Sequence, residues 1–201
     1  MSIINNFNEN LKNLKLLFFQ PVIFLLFVGK RFKHLETLEV GFLSNTIHHI
    51  NDIQYSIKPS KYFDKLLNDT NLDTFRNLKS FSFTTCIYIQ YPDPLVLKTI
   101  LLILKGCQDT LTSFEFVDYK GDVKELIDFI CFKNIPLKYL KFKLIAFLTK
   151  ADIMKILKRK NNNDLLINIE QCPCISSYYM QIIKDYIKQN SLKIKTIYKD
   201  F

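Results

Sequence analysis

Apolar residues recur along the chain in a short phrase, apolar-x-x-apolar-x-apolar. Five copies are clear: Leu11–Leu14–Leu16, Leu35–Leu38–Val40, Leu78–Phe81–Phe83, Leu111–Phe114–Phe116 and Leu137–Leu140–Phe142. Polar residues fill the intervening positions, as in Leu35-Glu-Thr-Leu-Glu-Val40 and Leu137-Lys-Tyr-Leu-Lys-Phe142. Alternation of period two predicts a strand with one buried face. A chain this rich in Leu, Ile and Phe repeats loose phrases by chance, but chance does not place the charges on the alternate positions. Two weaker copies follow. One is Ile167–Ile169 leading to Cys172, with Asp164 at the first position; the other is Leu192 with Ile194 and Ile197, out of register by a residue.

Helical patterns lie between the phrases. Pro94 to Lys105 has Asp93 as a cap and Pro94 at the first helical position, and Gly106 closes it. Asp122-Val-Lys-Glu125 has capping-box spacing and opens a helix carrying Leu126, Ile127, Phe129 and Ile130. Thr149 to Arg159 places Ile153, Ile156 and Leu157 on one face. Ser176 or Ser177 to Gln189 does the same for Tyr179, Ile182, Ile183, Tyr186 and Ile187. Pro59 to Leu67 is a shorter candidate with Tyr62, Phe63, Leu66 and Leu67 inward, and Asn45–Tyr55 is ambiguous.

Strands alternating with helices of this length imply an α/β fold with parallel pairing through right-handed crossovers. If each unit touches only its neighbours, the sheet becomes the concave wall of a solenoid with helices on the convex side. The apolar positions of each phrase then point to the core. The residue between the last two apolar positions projects from the wall. That rule selects Lys15, Glu39, Ser82, Glu115, Lys141 and Asn168 as the expected protein-binding row. Any one of them read alone is equally a solvated surface residue.

The copy at Leu78 continues to Cys86, as Leu78-Lys-Ser-Phe-Ser-Phe-Thr-Thr-Cys86. With Leu137-Lys-Tyr-Leu-Lys-Phe142 and the helices between, it resembles the irregular, helix-containing leucine-rich repeats of F-box/leucine-rich-repeat proteins. The resemblance runs from Leu11 to Ile197 and implies one domain over residues 1–201 of about six or seven repeats, or a fragment of a longer array. It implies a horseshoe that captures a protein substrate for a ubiquitin ligase. An F-box-like Leu-Pro opening followed by helices is not found, because the first phrase begins by Leu11, so recognition is implied and ligase recruitment is not. The first positions, Leu11, Leu35, Leu78, Leu111 and Leu137, are 24, 43, 33 and 26 residues apart. Repeats of this kind span roughly 20–29 residues. The long interval requires either a degenerate copy near Ile53–Ile57 or an enlarged connection.

Hydrophobic content of 48% with 18 Phe suffices for a continuous core, and with only 4 Gly no flexible linker marks a domain boundary. The net charge of +9 suggests nucleic acid, but only Arg31, Arg76 and Arg159 of the 28 basic residues are Arg. Bidentate reading of phosphates and guanines favours Arg. The run Lys155 to Lys160 ends a helical pattern, where cations suit the helix dipole. Nucleic-acid binding is therefore an alternative behind protein binding. Five Cys without a paired framework imply reduced thiols and a cytoplasmic or nuclear location. Cys86 and Cys172 take the turn position of the repeat as buried thiols, and Cys172-Pro-Cys174 has too short a spacer for a zinc knuckle.

Leu16–Val28 is apolar except for Gln20, but thirteen residues are too few to span a bilayer as a helix. It reads as a buried strand at Leu14–Phe18 and a buried helix opened by Pro21. A membrane-associated or secreted protein anchored there is the competing reading. Candidate chemistry is sparse. Gly29, Gly41, Gly106 and Gly121 are isolated, and no G-x-S-x-G is present. His34 precedes a strand phrase, and His48 has Asp52 at i+4, a pair that reads as a solvated helix face. The expectation is a protein-interaction module, not an enzyme, with no cofactor, metal or small-molecule substrate.

Overall fold

A computed structural model describes residues 11–19, 24, 32, 34–42, 72–85, 94–159 and 164–200. It holds seven strands: β1 (Asn13–Phe19), β2 (Thr37–Phe42), β3 (Ser80–Thr85), β4 (Ser113–Val117), β5 (Tyr139–Lys143), β6 (Leu166–Glu170) and β7 (Lys195–Lys199). They form one sheet in chain order, β1 to β7, and every neighbouring pair is parallel. Four helices are described: α1 (Pro94–Gly106), α2 (Lys124–Lys133), α3 (Lys150–Leu157) and α4 (Ser177–Gln189). Each crosses from one strand to the next, from β3 to β7, and successive helices touch one another. The chain is an α/β protein with a seven-stranded parallel sheet.

The register explains the repeated phrase. Leu38, Phe81, Phe114, Leu140 and Ile167 are partners across β2 to β6, as are Val40, Phe83, Phe116, Phe142 and Ile169. All ten are fully buried in one core with helix residues such as Ile103, Ile130, Ile156 and Ile183. The rings of Phe81 and Phe114 stack at 5.5 Å between centroids, and those of Phe83 and Phe116 at 5.2 Å. Such pairs add about 0.5–1.5 kcal/mol each beyond the area they bury. Entry into the strands is also repeated. The amides of Glu36 and Thr37 donate to the Lys12 carbonyl, those of Lys79 and Ser80 to Glu36, those of Thr112 and Ser113 to Lys79, and those of Lys138 and Tyr139 to Thr112.

β2 pairs directly with β3, so no further strand of the sheet stands between them. Ile53–Ile57, Asn45–Tyr55 and Pro59–Leu67 lie outside the described residues, as does most of Leu16–Val28. Within that last segment β1 runs to Phe19, and Phe24 is helical and buried. Leu17 is exposed, being an outward residue of β1. Among the described residues no helix is long and apolar enough to cross a membrane.

The two weak copies are strands, with shifts. In β6 the left-handed Asp164 (φ 63°) is exposed, and its neighbour Leu165 fills the core. In β7 Thr196 and Tyr198 are partners of Ile167 and Ile169, so Ile197, expected inward, stands exposed on the opposite face. Ile194, one residue before β7, is buried and carries the apolar position instead.

Helix ends correct two expectations. The cap of α2 is Val123 with no side-chain bond; Asp122 instead accepts the Lys124 amide at 2.8 Å, and Glu125 closes no box. The capping box belongs to α3, where Thr149 accepts from the Asp152 amide and the Asp152 carboxylate accepts from the Thr149 amide at 2.9 Å. Ser176 caps α4, whose buried residues are Met180 and Ile183, while Tyr179 is exposed. Gly106 ends α1 for a packing reason. A Cβ there would lie 2.9 Å from the Leu72 carbonyl oxygen and 2.9 Å from the Phe75 Cβ, in the short 3-10 turn Leu72–Phe75.

Candidate functional site: the outward face of the sheet

Strand residues that do not enter the core form the other face in three rows. The middle row is Lys15, Glu39, Ser82, Glu115, Lys141 and Asn168, each the register partner of the next, continued by Ile197. The six residues selected from sequence are thus brought side by side. Adjacent parallel strands lie about 4.8 Å apart, so a row of this kind runs straight across the sheet. Before it runs Asn13, Thr37, Ser80, Ser113, Tyr139, Leu166 and Lys195; after it runs Gly41, Thr84, Val117, Lys143, Glu170 and Lys199.

Charge on this face is segregated. On β1 and β2 Lys15 and Glu39 pair at 2.6 Å, and the residues ahead of the strands, Lys12, Glu36 and Lys79, pair in turn. The two lysines hold the Glu36 carboxyl below its ordinary range through hydrogen bonds and charge. β3 presents hydroxyls, Ser80, Ser82 and Thr84, and β4 presents Ser113 and Glu115. On β5 to β7 the charges are Lys141, Lys143, Lys195 and Lys199 against Glu170.

Glu170 is the centre of that last group. It is 8% exposed, accepts a 2.9 Å hydrogen bond from Asn168 Nδ2, and has Lys141, Lys199 and Lys143 nitrogens at 3.7, 3.7 and 3.9 Å. Burial by itself raises the carboxyl, but the Asn168 bond and the three ammonium groups outweigh it and hold it below the ordinary glutamate value. Asn168, expected to project, is also buried, 7% exposed, and its Oδ1 has no hydrogen-bond partner. Lys141, Lys143 and Lys199 gather around Glu170. Glu170 sits two residues past Asn168, so the period of the strand already placed it on this face; the gathering of three lysines around it is a tertiary fact.

A second feature lies at the carboxyl ends of β4 to β6. Asp118, Leu144 and Gln171 each follow a strand by one residue, and each is left-handed, with φ of 54, 56 and 52°. Their amides donate to the carbonyls of Lys143, Glu170 and Lys199 at 2.8–2.9 Å, so the turn repeats with the strands. The following residues, Tyr119, Ile145 and Cys172, are buried. Asp118, Lys120, Leu144, Phe147, Gln171 and Pro173 border a cavity of about 360 Å³. Burial raises the Asp118 carboxyl against the opposing effect of Lys120, and its Oδ2 has no hydrogen-bond partner.

The thiols follow burial. Cys107 and Cys172 are in the core, and desolvation pushes them up to about 12 and about 11. Cys172 occupies the turn position, with Sγ against the Phe142 and Glu170 carbonyls; Cys86 lies outside the described residues. Cys174 is exposed and donates to the Ala146 carbonyl at 3.2 Å. Among the described residues no cluster of His, Cys, Asp and Glu is placed to hold a metal. His34 is exposed in a turn, and His48, His49 and Asp52 are outside the described residues. The basic run starts in the last turn of α3, where Lys155 suits the helix dipole, and two of its side chains are also tied to neighbours. Lys155 bonds Asp128 on α2, and Arg159 is buried, donating from Nη2 to the Ile135 carbonyl.

Comparison of the chain with protein-family models, with curated proteins and with solved structures finds no match.

Proposed function

We propose that the chain is a single leucine-rich-repeat domain, a solenoid whose concave sheet face docks a protein partner. The observation that carries the reading is the unbroken row from Lys15 to Asn168 across six successive parallel strands. Chain-order parallel strands, each joined to the next by a crossover, are what stacked repeats produce, because each unit buries its apolar face only against its neighbours. Irregular connections also fit this reading, since a solenoid absorbs added length outside its sheet. By resemblance to F-box/leucine-rich-repeat proteins, the partner is a substrate presented for ubiquitin transfer, and the location is cytoplasmic or nuclear.

Photo-crosslinking tests the docking surface. A crosslinking side chain is placed singly at Ser82, Glu115 or Lys141, and at the exposed helix positions Lys124, Gln181 or Lys184. Adducts in cell extract are expected at the three sheet positions and not at the helix positions. Adducts confined to the helix positions overturn the reading. Recovery of ubiquitin-ligase scaffold subunits with the sheet adducts supports the degradation role, and their absence removes that role alone.

A further inference from the structure

We infer that the sheet face of β5 to β7 binds an acidic, extended segment of a partner protein; this rests on the docking reading above and names the partner's chemistry. The first ground is charge. Glu170 faces three ammonium groups, and none approaches closer than 3.7 Å, so each lysine keeps donors that the carboxylate does not satisfy. Lys195 adds to the excess on β7, whereas β1 to β4 set Lys15 against Glu39 and Glu115 on the same rows. Lys141 and Lys143 lie on an interior strand, where lysine has no sheet edge to protect. The second ground is independent of charge. Asn168 gives its amide nitrogen to Glu170, which leaves Oδ1, buried and without a partner, between Lys141 and Ile197 in the middle row. A buried acceptor without a donor is costly, and a ligand N–H that reaches it as neighbouring side chains move aside removes that cost.

An acidic polypeptide supplies both groups at once: a backbone N–H for Asn168 and flanking carboxylates for the lysines. A nucleic acid fits less well. Its phosphates meet Glu170 at the centre and Glu115 and Glu39 farther along the row, and the lysine group spans only three strands, about 10 Å between the outer two. Arginine, the side chain suited to phosphate, is absent from this group.

Fluorescence anisotropy at low salt tests the inference, with a labelled twelve-residue poly-glutamate peptide, a poly-lysine peptide and a single-stranded oligonucleotide of the same length as probes. The poly-glutamate peptide is expected to bind and the poly-lysine peptide not. Lys141→Gln with Lys143→Gln weakens binding about fivefold or more, as loss of two ion pairs implies. Lys184→Gln with Lys188→Gln, the same charge change on exposed positions of α4, changes it less than twofold. Asn168→Leu weakens binding at unchanged net charge, and melting curves exclude unfolding of each variant. Equal losses in the two double variants, no binding of poly-glutamate, or tighter binding of the oligonucleotide each overturn the acidic-segment inference. Crosslinks at Ser82 and Glu115 that persist after any of these results leave the docking face standing.

Discussion

β2 to β4 and β5 to β7 share one hydrogen-bonding register but differ on both faces. Inward, β3 and β4 stack four phenylalanines, and Phe83 and Phe116 also meet Tyr119. Across β5 and β6 the same positions are Leu140, Phe142, Ile167 and Ile169, and the Phe142 ring touches no other ring among the described residues. Outward, β3 and β4 carry hydroxyls around a single Glu115, while β5 to β7 carry lysines gathered on Glu170. The connections differ too. β2 and β3 are much farther apart in sequence than β5 and β6, yet their pairing is as regular. The difference teaches that inward volume and main-chain pairing set the shape, and that the outward residues vary without cost to it.

The largest effect separates the two faces of one strand. Phe81→Asp places a charge in the core and is expected to cost about 4 kcal/mol or more. Ser82→Asp, one residue on, puts a carboxylate between Glu39 and Glu115 and costs at most about 1 kcal/mol. Urea unfolding of both variants measures the gap, and equal midpoints contradict the strand register. Next, Gly106→Ala is expected to destabilise by about 1–3 kcal/mol despite the better helix former, because the added methyl meets a backbone carbonyl that has no room to yield. A neutral or stabilised Ala variant refutes the close approach of α1 to the 3-10 turn.

A smaller effect sharpens the aromatic contrast. Phe116→Leu loses ring contacts to Phe83 and Tyr119 and is expected to cost about 1 kcal/mol more than Phe142→Leu. Thermal melts of the pair decide it, and similar losses remove the distinction between the two halves. The smallest concerns Glu170. Its carboxyl is held below the ordinary glutamate value, so the folded state binds protons less readily than the unfolded chain. The resulting stability is present above the unfolded pKa, near 4.3, and is lost as pH falls through the lower folded value. The stability gap between the wild type and Glu170→Gln is expected to hold from about pH 7 to 5 and to shrink below about pH 4. A gap that widens on acidification contradicts the lysine cluster.

Strand register and the row from Lys15 to Asn168 were legible without coordinates, because a strand has a period of two and charges at alternate positions expose its face. Helices bounded by Pro94 and Gly106, and by Thr149 and Arg159, were legible for the same kind of local reason. Misplaced details have local causes as well. Asp122 bonds the amide two residues on and so imitates a capping box, and Tyr179 has an apolar ring that suits the core or the surface. Tyr198 and Thr196 are weaker core formers than Ile197, so apolarity alone chose the wrong face of β7.

Tertiary structure alone decided the rest. That β2 meets β3 directly was not legible, because the pairing joins residues far apart in the chain. Gly106 owes its place to Leu72 and Phe75, not to its own turn. The ammonium groups around Glu170 come from β5 and β7, and the lone Oδ1 of Asn168 follows from which neighbour takes its amide. Local chemistry specifies which face of each strand is buried, because that preference is written in residues two apart; the electrostatics of the wall arise only when separate strands are laid side by side.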